Sequence, residues 1–294
     1  MNRQSSSRLG LVLLFFLTVG IPVGSATVPY EPPRLFLSIA GEINFLDDGD
    51  FGRMVTASGG YYGSLHDPAS GREVSLEEGP AYRGIEVEIG IQAGRYGVGI
   101  GVGSLRRAFS LTYAQLDPAD GTGEHLSWER RFSATPLMIY NHFDIWRGGM
   151  LSLRIDIGGG VYLARYRDDR LETTQGVSSV QTKTITTEAD RNLIGLHLGA
   201  CLEIHLGRTF TLFAEVMGRW VDFKDITATR RTDKDGEISE KEGEMGYITD
   251  GETGEGMFWV GIYDDPWTGG AAQLALKGLA LRAGVKITLG RSGK

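Results

Sequence analysis

Apolar and polar residues alternate with a period of two in eight separate stretches of the chain, the pattern of strands whose two faces meet different surroundings. Leu35, Leu37, Ile39, Gly41, Ile43 and Phe45 share one face of the first stretch, with Ser38, Ala40, Glu42 and Asn44 on the other. Ile85 to Ile91 alternate with Glu86, Glu88, Gly90 and Gln92, and Val98, Ile100 and Val102 alternate with Gly97 to Gly103. The parity of this third stretch reads as slipping near Leu105 to Ala108, which predicts a β-bulge. A fourth stretch, Ser133 to Trp146, alternates less cleanly around Tyr140 and Asn141. The remaining four run from Leu151 to Leu163, Ile194 to His205, Phe210 to Trp220 and Leu279 to Leu289.

The connections sort by length. Ala93 to Tyr96, Trp146 to Gly149 and Leu206 to Thr209 are tight, whereas Asp47 to Arg83, Ala114 to Trp128, Arg167 to Arg191 and Lys224 to Gln273 are long, and the two kinds alternate strictly. Tilted strands of about 9–11 residues cross a bilayer, and short turns on one side with long loops on the other mark outer-membrane barrels. The expectation is an all-β fold: an eight-stranded antiparallel transmembrane β-barrel with short periplasmic turns, four long extracellular loops and periplasmic termini. A soluble β-sandwich would also alternate, but its short loops need not gather at one end, and the glycines of Gly97 to Gly103 suit a crowded barrel interior better than a wet face. Phe36, Tyr96, Trp146 and Phe210 at the turn end, and Phe45, Tyr113, Tyr166 and Trp220 at the loop end, are expected to form two aromatic girdles.

The compartment follows from the first residues. Arg3 and Arg8 precede an apolar run from Leu9 to Val19 and the small residues Gly24, Ser25 and Ala26, the order of a secretory signal peptide. Residues 1–26 are therefore expected to be removed, leaving 27–294 as a barrel domain in the outer membrane. Removing Arg3 and Arg8 takes the formal charge from -7 to -9, an acidic balance without a basic patch that argues against nucleic acid as a partner. The single cysteine, Cys201, excludes an intrachain disulfide. A mean hydropathy of -0.13 is compatible with a membrane barrel, because every second residue of such a barrel faces a polar lumen.

On these residues and connections the chain resembles the broad family of small outer-membrane β-barrel proteins, the OmpA-like and OmpW-like barrels, across nearly the whole of 27–294. The resemblance implies an outer-membrane location among lipids, insertion by the barrel-assembly machinery, a monomer, and loops available to an extracellular ligand. Its last predicted strand closes on Ile287-Thr288-Leu289, without the terminal aromatic that such proteins usually carry.

Candidate chemistry lies on the inward face. Glu42, Glu86, Glu88, Asp144, Arg154, Asp156, Glu203, Glu215, Arg219, Arg282 and Lys286 all fall on the polar side of the alternation. An eight-stranded barrel is only wide enough for side chains to fill it, and unpaired buried charges are costly, so these groups are expected to pair into a plug. A gate whose partners exchange to admit ions, as proposed for family members, is the sharper alternative, and the OmpW-like resemblance separately implies passage of small solutes or apolar molecules. His142, His197 and His205 face inward, but His197 and His205 stand eight residues apart, about 26 Å along a strand, so no metal or other cofactor is expected. Asp47-Asp48-Gly49-Asp50 and Asp233 to Glu244 read as solvated acidic loops, the second lacking calcium-loop spacing. Met257 to Tyr263 with Trp267 is apolar for a loop. It predicts a hairpin with Tyr247 to Thr249 above the membrane, an exposed patch, or two further barrel strands. His125-Leu126-Ser127 has the His-x-Ser spacing of outer-membrane lipid A deacylases, with Glu129 close by where that family has a distant Glu. A non-enzymatic barrel is the expected function, with lipid hydrolysis the lesser alternative.

Overall fold

The computed structural model describes residues 32–67, 71–78, 81–117, 119–224, 226–249, 256–260 and 269–289. The expected signal peptide lies outside them. Strands β1 (Arg34–Gly49), β3 (Tyr82–Ala93), β4 (Tyr96–Leu116), β5 (Gly123–Gly148), β6 (Leu151–Gln175), β7 (Val180–Leu206), β8 (Phe210–Trp220) and β14 (Leu274–Leu289) pair in the order β7-β6-β5-β4-β3-β1-β14-β8. β8 pairs back onto β7, and every pairing is antiparallel, so the sheet closes as a ring of eight strands. Turns at Gly94-Arg95, Gly149-Met150 and Gly207-Thr209 lie at one end, with Arg34 and Leu289.

Register fixes the geometry of the ring. The paired residues Arg165, Ser133, Arg106, Arg83, Ile43, Leu281, Val216 and Ala200 lead round to Ile155, ten residues below the start on β6. A shear of ten over eight strands tilts them by about 40°, and each step round the ring descends by about one and a quarter residues. Heights on different strands can then be compared. Outward residues from Leu206 to Ile194 on β7, Leu289 to Leu279 on β14 and Phe210 to Trp220 on β8 form an apolar belt. It rises roughly 25–30 Å at 3.3 Å per tilted residue. Ile85 and Ile100, each 63% exposed, lie in that belt.

Above the belt the two faces exchange chemistry while the parity holds. On β4, Leu105, Phe109, Leu111 and Tyr113 point inward on the same side as Gly97 to Gly103, with Arg106, Ser110 and Thr112 outward. The pairing of β4 with β3 and β5 is in step through this region, so the bulge expected at Leu105 to Ala108 is absent. The apparent slip is a change of surroundings. The weak alternation at Tyr140 and Asn141 has a local cause, since Asn141 faces outward but is covered by Tyr96, whose hydroxyl donates to it at 2.8 Å.

Three further expectations are corrected. Two of the long connections are extended hairpins, with β4–β5 reversing at Asp117–Thr122 and β6–β7 at Gly176–Ser179. The first loop contains helix α1 (Asp50–Ser64) and β2 (Arg72–Glu78), which continues the sheet along upper β4. In the last, β9 (Asp222–Phe223) pairs with β14 and β10 (Thr227–Lys234) takes over upper β7 as partner, followed by β11 (Glu237–Thr249), β12 (Gly256–Val260) and β13 (Gly269–Ala271). Tyr247, Ile248 and Thr249 pair with Phe258, Met257 and Gly256 off the ring, so this hairpin adds no strand to it. Tyr263 and Trp267 lie outside the described residues. Of the expected girdle aromatics, Phe36, Tyr113 and Tyr166 point inward and are buried, while Phe45, Trp146, Phe210 and Trp220 face out.

Helix α1 seals the end of the ring opposite the short turns. Phe51, Met54, Val55, Ser58 and Tyr62 recur at helical spacing and are buried. The apolar members pack on inward residues including Phe132, Tyr166 and Phe223. The entry to the helix is clasped to the last strand's connection: Asp50 N–H donates to Gln273 O at 2.8 Å, and Gln273 N–H donates to the Asp50 carboxylate at 2.7 Å. Gly49 has φ 64°, and a Cβ there would collide with the Gln273 carbonyl, so this turn requires glycine. Asp50 is thus a buried clasp, not part of a solvated acidic loop. The ring of Phe51 is fully buried, 6.1 Å from those of both Phe132 and Tyr166. Phe51→Ala should cost about 3–5 kcal/mol of cap stability, read as protease sensitivity at residues 50–64 at denaturant concentrations where the wild type is resistant.

Candidate functional site

All eleven charged positions singled out from the alternation point into the ring, and all are buried. They stack in layers. Nearest the turn end, Asp144 accepts from Gln92 at 2.9 Å and pairs with Arg147. Glu203 then gathers Arg154, Lys286 at 2.5 Å and Ser152 at 3.1 Å. Arg154 reaches on to Asp156 at 2.7 Å, and Asp156 and Glu88 flank His142 at 2.6 Å on either side. One layer higher, Arg282 bridges Glu86 and Glu215 at 2.9 Å each, and the Tyr140 hydroxyl donates to Glu86 at 2.5 Å. At the top Arg219 pairs with Glu42 at 3.1 Å and donates to Asn44 at 2.8 Å.

The network exists because small residues make room for it. A Cβ at Gly101 would stand 2.7 Å from the Tyr140 ring, and one at Gly195 would stand 2.5 Å from that of Tyr162. Inward glycines opposite large polar side chains keep the cross-section filled without strain. Each guanidinium meets more than one acceptor, the condition under which buried ion pairs hold together.

The three inward histidines serve different surroundings. His142 sits between two carboxylates and stacks on Tyr140, His205 contacts Ser152 at 2.9 Å and Thr211 at 3.0 Å, and His197 lies tilted against the Tyr140 ring at 4.5 Å. Among the described residues no group of three or more His, Cys, Asp or Glu side chains is arranged to hold a metal ion. Cys201 is buried and has no disulfide partner.

A second polar cluster, which the sequence pattern did not disclose, ties the apolar cap to the wall. Arg130 is fully buried, stacks on Trp128 at 3.1 Å, donates to Ser58 of α1 at 3.2 Å and meets Asp168 at 3.4 Å. Asp168 also accepts from Trp128 Nε1 at 2.5 Å and the Tyr166 hydroxyl at 2.9 Å. The signal was present as Arg130 between the inward positions Trp128 and Phe132, once β5 is extended that far.

The His125-Ser127-Glu129 set is not assembled as a relay. No hydrogen bond joins His125 to Ser127, and the Glu129 carboxylate is held by Arg131 at 2.6 and 2.5 Å. At the turn end the ring opens into a polar cavity of about 300 Å³ lined by Arg34, Gln92, Arg147, His205, Arg208 and Lys286. The lumen floor of ion pairs begins there.

The fold and this interior define a closed antiparallel β-barrel with an apolar belt outside and paired charges inside. No family model matches the chain, and no curated protein matches it. Among solved structures it is similar to a major outer membrane protein from Thermus thermophilus, with 13% identity and a TM-score of 0.39 over 87% of this chain and 99% of that one.

Breaking one member of a buried pair should be far worse than removing both. Arg219→Met, which strands Glu42, is expected to lose about 3–5 kcal/mol, and Glu42→Leu combined with Arg219→Met should recover most of it. Urea unfolding in detergent micelles followed by gel mobility measures both, and a loss below about 1 kcal/mol for the single variant would dismiss the pair as a structural element.

Proposed function

We propose that this chain is an outer-membrane β-barrel with a closed lumen, whose work is structural or is done through its outer wall. The observation that carries the reading is the exchange of faces along unbroken strands. A belt that is apolar outside and charged inside suits a bilayer around the ring. The zone above it, apolar inside and polar outside, suits water. The short turns, with Arg34 and Leu289, then face the periplasm, and α1 with the extended hairpins faces outward.

Closure is double. Ion pairs fill the belt level, and Phe51, Met54 and Val55 of α1 fill the mouth above. Outside, β4 to β7 with β10 and β11 stand as a tall polar wall on one side, while β3, β1, β14 and β8 end near the belt. That wall is the surface available to a partner. The reading includes outer-membrane lipids and the assembly machinery as partners, a monomeric barrel, and no catalytic step.

Two measurements test it. Ile100, near mid-belt and facing out, should lose about 2–4 kcal/mol on substitution by Lys, whereas Ser110→Lys on the same face above the belt should change stability by less than about 1 kcal/mol. Equal effects in folding titrations into lipid vesicles would remove the membrane assignment. In planar bilayers the wild-type protein should give a flat current trace at high protein load. Discrete conductance steps would favour the narrow-channel reading instead.

A further inference from the structure

We propose that the outer surface carries a binding site for the phosphate of an anionic lipid, centred on Arg83 and Arg106. The proposal rests on the membrane reading above and adds a specific headgroup chemistry and position to it.

Arg83 on β3 and Arg106 on β4 are directly opposed in register, both face outward, and both are exposed. Like charges at directly opposite positions of neighbouring strands repel and destabilise the pairing. Neither guanidinium has an ion-pair partner among the described residues. Neighbouring outward cations are answered: Arg131 by Glu129, Arg165 by Asp190 at 2.9 Å, Arg167 by Asp169 and Glu188, and Lys277 by Asp222 at 2.9 Å, while Arg231 on β10 stands opposite Glu240 in register. Arg83 and Arg106 thus place two like charges directly opposite one another, where Arg231 has a carboxylate across from it.

Its height identifies the occupant. Ile85 and Val102, 63% and 48% exposed, lie on the same outward face two and four residues below Arg83 and Arg106, at the upper edge of the apolar belt. A lipid whose acyl chains lie along Ile85, Ile100 and Val102 brings its phosphate level with the two guanidinium groups. Ser104, on the same outward face and opposite Ile85, supplies a hydroxyl beside them, while the Ser133 hydroxyl across from Arg106 donates to the Arg165 carbonyl at 3.5 Å. Guanidinium forks bind phosphate oxygens in pairs, so one phosphate bridging both arginines turns a repulsion into two charge-assisted contacts.

The test uses the full barrel chain in nanodiscs of phosphatidylcholine containing either phosphatidic acid or diacylglycerol at equal mole fraction. Lipid retained after detergent extraction is counted by native mass spectrometry. The wild type should retain phosphatidic acid selectively. Arg83→Gln with Arg106→Gln should lower that retention about tenfold, and Arg83→Lys with Arg106→Lys, keeping charge without the fork, should fall between. Lys277→Gln, on β14 two strands from β3, should leave it unchanged. Heat-modifiable gel mobility establishes that each variant has folded. Equal retention of the two lipids by an inserted wild type, undiminished retention by the glutamine variant, or equal loss in Lys277→Gln overturns the site alone. A wild type that never enters the bilayer overturns the membrane reading and the site together.

Discussion

The pairing of β7 with β8 is the constraint on which the rest of the structure depends. Once the ring closes at eight strands with a shear of ten, the interior is too narrow for water to solvate its side chains freely. Inward charges must then find their partners among one another. Arg282, for instance, is satisfied by Glu86 from β3 and Glu215 from β8, strands on either side of the pair β1–β14. Closure also locks parity. A strand as long as β6, from Leu151 to Gln175, cannot rotate its faces without breaking register with two neighbours. It meets two different surroundings by changing which residue types occupy each face.

That exchange explains what was legible in the sequence and what was not. Within the belt, outside and inside differ sharply in polarity, so the eight stretches and their inward charges could be read by alternation alone. Above it the contrast reverses, and the reversal at Leu105 to Ala108 resembles a slipped register. In the upper hairpins both faces carry threonine and charge, as in Thr182 to Glu188 on β7, so the pattern fades although the strand continues. Helix α1 was hidden for a different reason. Gly52, Gly59, Gly60 and Gly63 give it poor intrinsic propensity, and it forms because one face packs into the mouth of the ring. Its helical spacing, Phe51, Met54, Val55, Ser58 and Tyr62, becomes informative only when the receiving surface is known.

The site shows the same division. Each inward charge could be named from its own strand, because parity is local. The partners could not, because pairing depends on register between strands far apart in sequence: Arg219 and Glu42 are separated by 177 residues. Arg130 illustrates the opposite case. A buried arginine looks like a surface loop residue until Trp128, Asp168 and Ser58 are brought round it. Its stacking and hydrogen bonds make it the link through which α1 is fastened to the wall.

On the closed-lumen reading proposed above, the ion pairs and the apolar cap differ in how they would fail. An ion-pair plug is held by directional contacts whose partners are numerous: Glu203 faces both Arg154 and Lys286, so losing one contact leaves another within reach. Such a plug can rearrange at modest cost as long as charges stay matched. The apolar cap has no such substitutes, because moving Phe51, Met54 and Val55 out of the mouth exposes them to water, at about 25 cal/mol per Å² of apolar surface. Exchange of partners in the plug alone would therefore leave the mouth sealed. On that reading a conducting state would require α1 to lift as well, breaking the Asp50 clasp on Gln273 and the contact between Ser58 and Arg130. With the lumen closed as proposed above, resistance to opening resides in the cap at least as much as in the charges beneath it.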